Sequence, residues 1–265
     1  MNELFPVLGL AFLGSVIALI GGVIFLLKKS WSSFLETYSI PFAAGVLLTV
    51  SLLGILPEAV HAIGEYAYLV MLFSFLTAFI FEHMMFGIHH HDEVYRHSHI
   101  QRSIPFIILG DTIHNFIDGV AIAAAYLVNP GLGLVTAIST FFHEIPHEIG
   151  DFGILLKAKW NKKKIILVNV LSASTTFIGA LFVLFFTQDQ YLIGVLLSVA
   201  AGLFLYLGAI DFLPHIHDEK SGEYNKLIIA LFIGVFMMIL TLQMIPHSHE
   251  VYHENEDTHK SETHQ

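Results

Sequence analysis

The chain has 265 residues, of which 55% are hydrophobic and only 13% charged, and its formal net charge is -10. A soluble domain carries about 25% charged residues, so this is the composition of a membrane protein, and with only 12 Lys and Arg a nucleic-acid partner is not expected. Cysteine is absent while histidine occurs 17 times, which removes disulfides, thiolate metal ligands and cysteine nucleophiles together.

A stretch of about twenty apolar residues crosses a hydrocarbon core of roughly 30 Å. Eight such spans follow one another, at about 4–27, 34–57, 67–88, 104–128, 131–156, 165–187, 190–214 and 227–245. The runs are continuously apolar and do not alternate, so helices are expected and a barrel is not. The first run has no basic leader or small-residue cleavage site and reads as a retained helix. Basic residues cluster after spans one, three, five and seven, and only Lys260 of the 12 lies elsewhere. By the positive-inside rule those loops face the cytoplasm, which leaves both termini extracytoplasmic in a multi-pass protein of the cell membrane. Span two ends in "GILPEAVH" and span seven in "AIDFLPHIH". This echo, on opposite faces, is what an inverted repeat would produce, so the expected fold is all-α with a 3+2+3 arrangement of helices.

Spans four and five carry the chemistry. Span four has Asp111, His114, Asn115 and Asp118 at intervals of three and four, on one helical stripe, and span five has His143, Glu144, His147, Glu148 and Asp151 in the same rhythm. Only Asn129-Pro130-Gly131 separates the two spans, which forces an antiparallel hairpin. Both stripes then lie at the midplane. Each intramembrane ionisable group costs about 2.5 to 3.5 kcal/mol on insertion scales. Neither span contains Lys or Arg to neutralise the carboxylates, so a cation is required. Imidazole and carboxylate together suit Zn2+, Fe2+, Mn2+ or Cd2+. Pairs at i, i+4 suggest one centre from His114, Asp118, His143 and His147. Asp118 and His147 also reach a second centre completed by Asn115 and Glu144. Pro146 leaves the carbonyl of Phe142 without its helical partner, and the resulting kink opens space for metal or water.

"HEIPH" also spells the H-E-x-x-H of zinc proteases. A proline inside the motif, an Asp supplied by the preceding helix, and roughly twice the ligands a catalytic zinc needs all count against that reading. A metal-sensing receptor without flux is a third reading. "HNFIDG" (114–119) and "HEIPHEIGD" (143–151), in this order on consecutive apolar spans, resemble the Zrt/Irt-like (ZIP) family of divalent metal transporters, in particular the members with the HEIPHE signature. The resemblance implies zinc uptake into the cytoplasm, with iron, manganese or cadmium as other cargoes, through a binuclear midplane site by alternating access. It places the first site on His114, Asp118, His143 and His147 and the second on Asn115, Asp118, Glu144 and His147. Some members add a carboxylate from span six, where this chain offers only Asn169 and hydroxyls such as Ser172.

Other polar groups flank the path. Glu58 and His61 lie at the outer end of span two, Glu82 and His83 near the inner end of span three, and Asp211, His215 and His217 near the inner end of span seven. The loop 89–103 holds His89, His90, His91, His97 and His99, the composition of a metal-binding tract. Residues 1–246 are expected to form the transport domain and 247–265 a polar, His-rich extracytoplasmic tail. Small residues, as in "AIAAAY", would allow close helix packing, including that of a homodimer.

Overall fold

The computed structural model describes residues 2–27, 29–86, 96–187, 189–214, 216 and 224–245. The apolar runs form eight helical rods, and among the described residues there is no strand. Span one is Leu4–Gly14 followed, after a turn, by Leu19–Leu27. Span two joins Lys29–Thr49, a π-helical turn Val50–Ile55, and Leu56–Ile63. Span three is Tyr66–Phe86, span four Arg96–Val128 and span five Pro130–Lys157. Span six is Lys162–Ala173 and Thr175–Phe186, span seven Gln190–Tyr206 with a π-helical turn Leu207–Phe212, and span eight Tyr224–Met244. Seven of these rods are long and apolar enough to cross a membrane. The remaining one, Pro130–Lys157, has the length but carries the acidic and imidazole stripe, and it is packed against spans one, two and four.

Several boundaries differ from the sequence expectation, among them the start of span two, at Lys29 and not near residue 34. Span two continues past Pro57 to Ile63, because Pro57 falls in the first turn of the Leu56–Ile63 segment, where a missing N–H is tolerated. It stops at Gly64, whose φ of 65° is open to glycine and strained for other residues. Span four begins at Arg96, so part of the expected loop 89–103 is helical and takes His97 and His99 with it. The link between spans four and five is Asn129 alone. Its side chain accepts from the N–H groups of Gly131 at 2.7 Å and Leu132 at 3.3 Å, so Pro130 and Gly131 already belong to the helix.

The Leu-Pro echo has a structural counterpart. In both span two and span seven a π-helical turn ends immediately before Leu-Pro, at Ile55 and at Phe212. Proline lacks a donor and its ring crowds the preceding turn, and a widened turn upstream accommodates both demands. The two turns also pack reciprocally, each against the opposite span. Span two lies along span eight and span seven along span three, while span one lies along span five and span six along span four. Exchanging spans one, two and three with six, seven and eight, and span four with span five, maps each pairing onto the other.

Two of these contacts rest on paired glycines. A Cβ on Gly119 would run into the backbone carbonyl of Thr176, and one on Gly179 into that of Phe116, so spans four and six touch backbone to backbone. Gly45 and Gly234 do the same for spans two and eight. Small residues fill the remaining core: Ala121, Ala123, Ala124 and Ala125 of span four are fully buried within the chain. The alanines of "AIAAAY" are therefore used for packing inside one chain and are not presented on an outer face. A second core cluster, with Leu19, Ile104, Phe152, Leu155 and Ile165, closes the end of the bundle near Lys157.

Candidate metal centre

His143 and Glu144 are the fourteenth and fifteenth of the 28 residues of span five, at half its length. Span four runs antiparallel beside it and brings His114 and Asp118 to the same level. Ligand atoms of His114, Asp118, His143 and Glu144 all lie within 4.8 Å of one another, and Asp118, His143 and Glu144 are buried to within 1%. His114 Nε2 stands 3.0 Å from Glu144 Oε1 and 3.6 Å from Asp118 Oδ2, and His143 Nε2 stands 3.1 Å from Asp118 Oδ2 and 3.8 Å from Glu144 Oε1.

The backbone decides which nitrogen of His143 faces the cluster. Nδ1 lies 3.0 Å from the carbonyl oxygen of Ser139, an acceptor only, so Nδ1 carries the proton and the neutral ring presents a bare Nε2 lone pair. That lone pair points at a carboxylate oxygen 3.1 Å away and at His114 Nε2 3.3 Å away. Lone pairs converging at such distances repel unless a cation, metal or proton, lies among them. Aromatic rings of span seven back the imidazoles: Phe204 meets His143 edge-on at 5.3 Å, and Phe212, the last residue of the π-helical turn, lies 5.1 Å from His147. His147 sits 4.7 Å from the His114 ring, and its Nε2 is buried without a hydrogen-bond partner.

A second group lies one turn further along. Carboxylate oxygens of Asp111, Glu144 and Glu148 are within 4.8 Å of one another. At that separation each pair of charges repels by about 3.5 kcal/mol even at an effective dielectric of 20. Asn115 does not join this group as an open ligand. Its amide nitrogen donates to Asp111 Oδ1 at 2.9 Å, and its oxygen accepts from the Thr176 hydroxyl at 3.1 Å. Span six contributes hydroxyls here: Ser172 donates to the Thr112 hydroxyl, and Thr175 to the Thr112 carbonyl.

Of the other expected positions, Asp151 lies within electrostatic reach of Asp111, Glu144 and Glu148, and the rest, where described, belong to neither ligand group. Glu58 is half-buried and His61 exposed, both on the Leu56–Ile63 segment. Glu82 accepts from the Tyr206 hydroxyl, which ties span three to span seven, and His83 stacks on Phe79. Asp211 lies in the π-helical turn of span seven and Asp151 is half-buried on span five. His89, His90, His91, His215, His217 and the tail 247–265 lie outside the described residues.

Pro146 does not break span five, which runs unbroken from Pro130 to Lys157. Instead it faces a cavity of about 600 Å³, shared with Pro41 of span two, Gly150, Gly153 and Lys157 of span five, and Leu227 of span eight. Between Pro146 and Lys157 the cavity follows span five for about 16 Å. It therefore joins the level of the cluster to the basic end of the helix. The sequence pointed to Pro146 as a place where space opens, but not to the other walls of this cavity, which come from segments distant in the chain.

The family profile described as "ZIP Zinc transporter" matches residues 101–242, more than half of the chain. The chain belongs to the ZIP family. Among curated relatives, "Zinc transporter foi" of Drosophila melanogaster is 42% identical over 136 residues, 51% of this chain and 19% of its own length. "Zinc transporter ZIP4" of Mus musculus is 43% identical over 147 residues, 54% of this chain and 22% of its own length. "Zinc transporter ZIP10" of Homo sapiens is 43% identical over 121 residues, 44% of this chain and 14% of its own length. The chain thus spans about a fifth of the relatives it matches. ZIP proteins are transporters, not enzymes. Glu144, the residue a protease would keep as a base, stands 3.0 Å from His114 inside the ligand cluster of this multi-pass ZIP chain.

Proposed function

We propose that this chain carries a divalent transition metal, zinc first among Zn2+, Fe2+, Mn2+ and Cd2+, across the cell membrane into the cytoplasm by alternating access. The observation that carries the proposal is the convergence of two imidazole nitrogens and two carboxylate oxygens, all at mid-depth, with the His143 lone pair held toward them by the Ser139 carbonyl. Two neutral imidazoles and two carboxylates sum to the charge of one divalent ion with opposite sign. His114, Asp118, His143 and Glu144 hold the ion and His147 stands within reach of it. In this reading Asp118 and Glu144 supply the charge that replaces the hydration shell. His147, backed by Phe212, receives the ion on the side of the cavity. The cavity from Pro146 to Lys157 is the inner vestibule. Its basic rim agrees with the cytoplasmic assignment of the Lys-rich loops.

The test is uptake into proteoliposomes by the full chain, with metal supplied on each side in turn. Zinc should enter faster than into empty vesicles, and His143→Ala should lose that uptake. Equal rates with and without protein for all four metals would defeat the carrier reading. Metal that binds the protein but never crosses would leave a receptor in its place.

A further inference from the structure

We propose that the turn between spans five and six binds the phosphate headgroup of an anionic phospholipid in the leaflet on the Lys157 side. The positive-inside rule asks only that such a loop be basic. Here the backbone itself is arranged around the charge.

Residues 152–188 hold five lysines, Lys157, Lys159, Lys162, Lys163 and Lys164, and no Asp or Glu. All five are exposed. They stand on a fixed turn. The N–H of Trp160 donates to the Leu155 carbonyl at 3.1 Å and that of Lys159 to the Leu156 carbonyl at 2.9 Å, the paired bonds of a Schellman motif. Glycine is the usual residue at the left-handed position of that motif, yet here it is Lys159, with a φ of 63°. Two residues on, Asn161 caps span six, its side-chain oxygen accepting from the Lys164 N–H at 2.8 Å. Lys162, Lys163 and Lys164 then occupy the first turn of that helix, the end whose dipole disfavours cations. Lysine stands at all four of these positions although local physics favours other residues there, and an anion held among the ammonium groups offsets the dipole and the mutual repulsion together.

The turn also lies at the depth of a headgroup. Exposed apolar side chains flank it on both helices, Leu156 before it and Leu167 after it, so hydrocarbon ends where the lysines begin. Trp160 is half-buried against the cluster that contains Leu155, Ala158 and Ile165, and Lys164 Nζ lies over its ring, 3.6 Å from the centroid. Such an aromatic and cation pair suits the membrane interface. A soluble anion would meet the charge alone, whereas a phospholipid brings its phosphate to the lysines and its chains to Leu156 and Leu167, which commits the site to lipid. Lys157 also lines the cavity beside Pro146. A headgroup bound here therefore reduces the positive charge facing a metal ion that leaves by that cavity. This consequence rests on the carrier reading, while the lipid site itself stands without it.

The chain has two tryptophans, so Trp31→Phe leaves Trp160 as a single fluorescent donor inside the patch. With that full chain in phosphatidylcholine vesicles, energy transfer from Trp160 to a trace of pyrene-labelled phosphatidylglycerol should exceed transfer to an equal trace of pyrene-labelled phosphatidylcholine. Lys159→Gly should lower this preference by about fivefold, the contribution of one lysine beside an anionic headgroup, and Lys162→Gln with Lys163→Gln should lower it further. The Tm of Lys159→Gly should stay at or above that of the parent, because glycine suits its backbone, which separates lost lipid contact from lost folding. Excess inorganic phosphate should leave the transfer unchanged. Equal transfer to both probes in the parent overturns the site, as does a preference that survives in both lysine variants. Displacement by inorganic phosphate also overturns it, since the patch would then take a free anion and not a lipid. Zinc movement is not read in these vesicles, so a parent chain that carries no zinc would strike the carrier reading alone.

Discussion

Asp118→Asn is the sharpest perturbation of the centre, because it keeps the size of the side chain and removes one charge. Asp118 is fully buried, with Oδ2 3.1 Å from His143 Nε2 and 3.6 Å from His114 Nε2. With Asp118 and Glu144 both ionised, the charge of a divalent ion is balanced. With Asn in place of Asp118, the occupied centre carries one uncompensated positive charge in a place that water does not reach. Leaving a buried charge unpaired costs about 3–5 kcal/mol, which is roughly a hundredfold to a few thousandfold in affinity. Zinc affinity measured by dye competition in nanodiscs should fall by that factor, and proteoliposome uptake at low zinc should fall with it. A variant that binds zinc within about tenfold of wild type, a change of about 1.4 kcal/mol, would refute the charge-balance argument. So would a larger loss from Asn115→Ala, which removes no charge.

Two further outcomes follow from packing and from the cavity. Gly119→Ala or Gly179→Ala forces spans four and six apart and should destabilise the chain by about 1–3 kcal/mol, seen as a lower Tm of the detergent-solubilised protein, whereas Gly9→Ala, with open space around it, should be neutral or slightly stabilising. An unchanged Tm for both Gly119→Ala and Gly179→Ala would contradict the backbone contact. The chain has no cysteine, so a single Gly153→Cys change has no background; a membrane-impermeant thiol reagent should label it from the Lys157 face and not from the other. Labelling only from the opposite face would reverse the orientation proposed for the chain.

Much of this molecule can be read directly from its sequence. Eight apolar runs have the length that hydrocarbon demands, and the three- and four-residue spacing of Asp111, His114, Asn115 and Asp118 puts them on one stripe because a helix turns 100° per residue. Antiparallel neighbours of matched length then bring that stripe level with His143 and Glu144. These are local or near-local facts, set by covalent geometry and by the solvent. The tertiary structure decided what depends on how each rod is rotated about its axis. Span five could have turned His147 toward Asp118, but it turns Glu144 there, 3.0 Å from His114. That rotation also places Glu148 with Asp111, a pairing that spacing along either helix alone could not reveal. It is set by contacts far away in the chain, such as Gly119 against Thr176 and Gly45 against Leu231, which draw some rods close and leave a cavity lined by both Pro41 and Pro146. Periodicity specifies the face of a single helix, whereas the partner of that face is chosen by the packing of all eight.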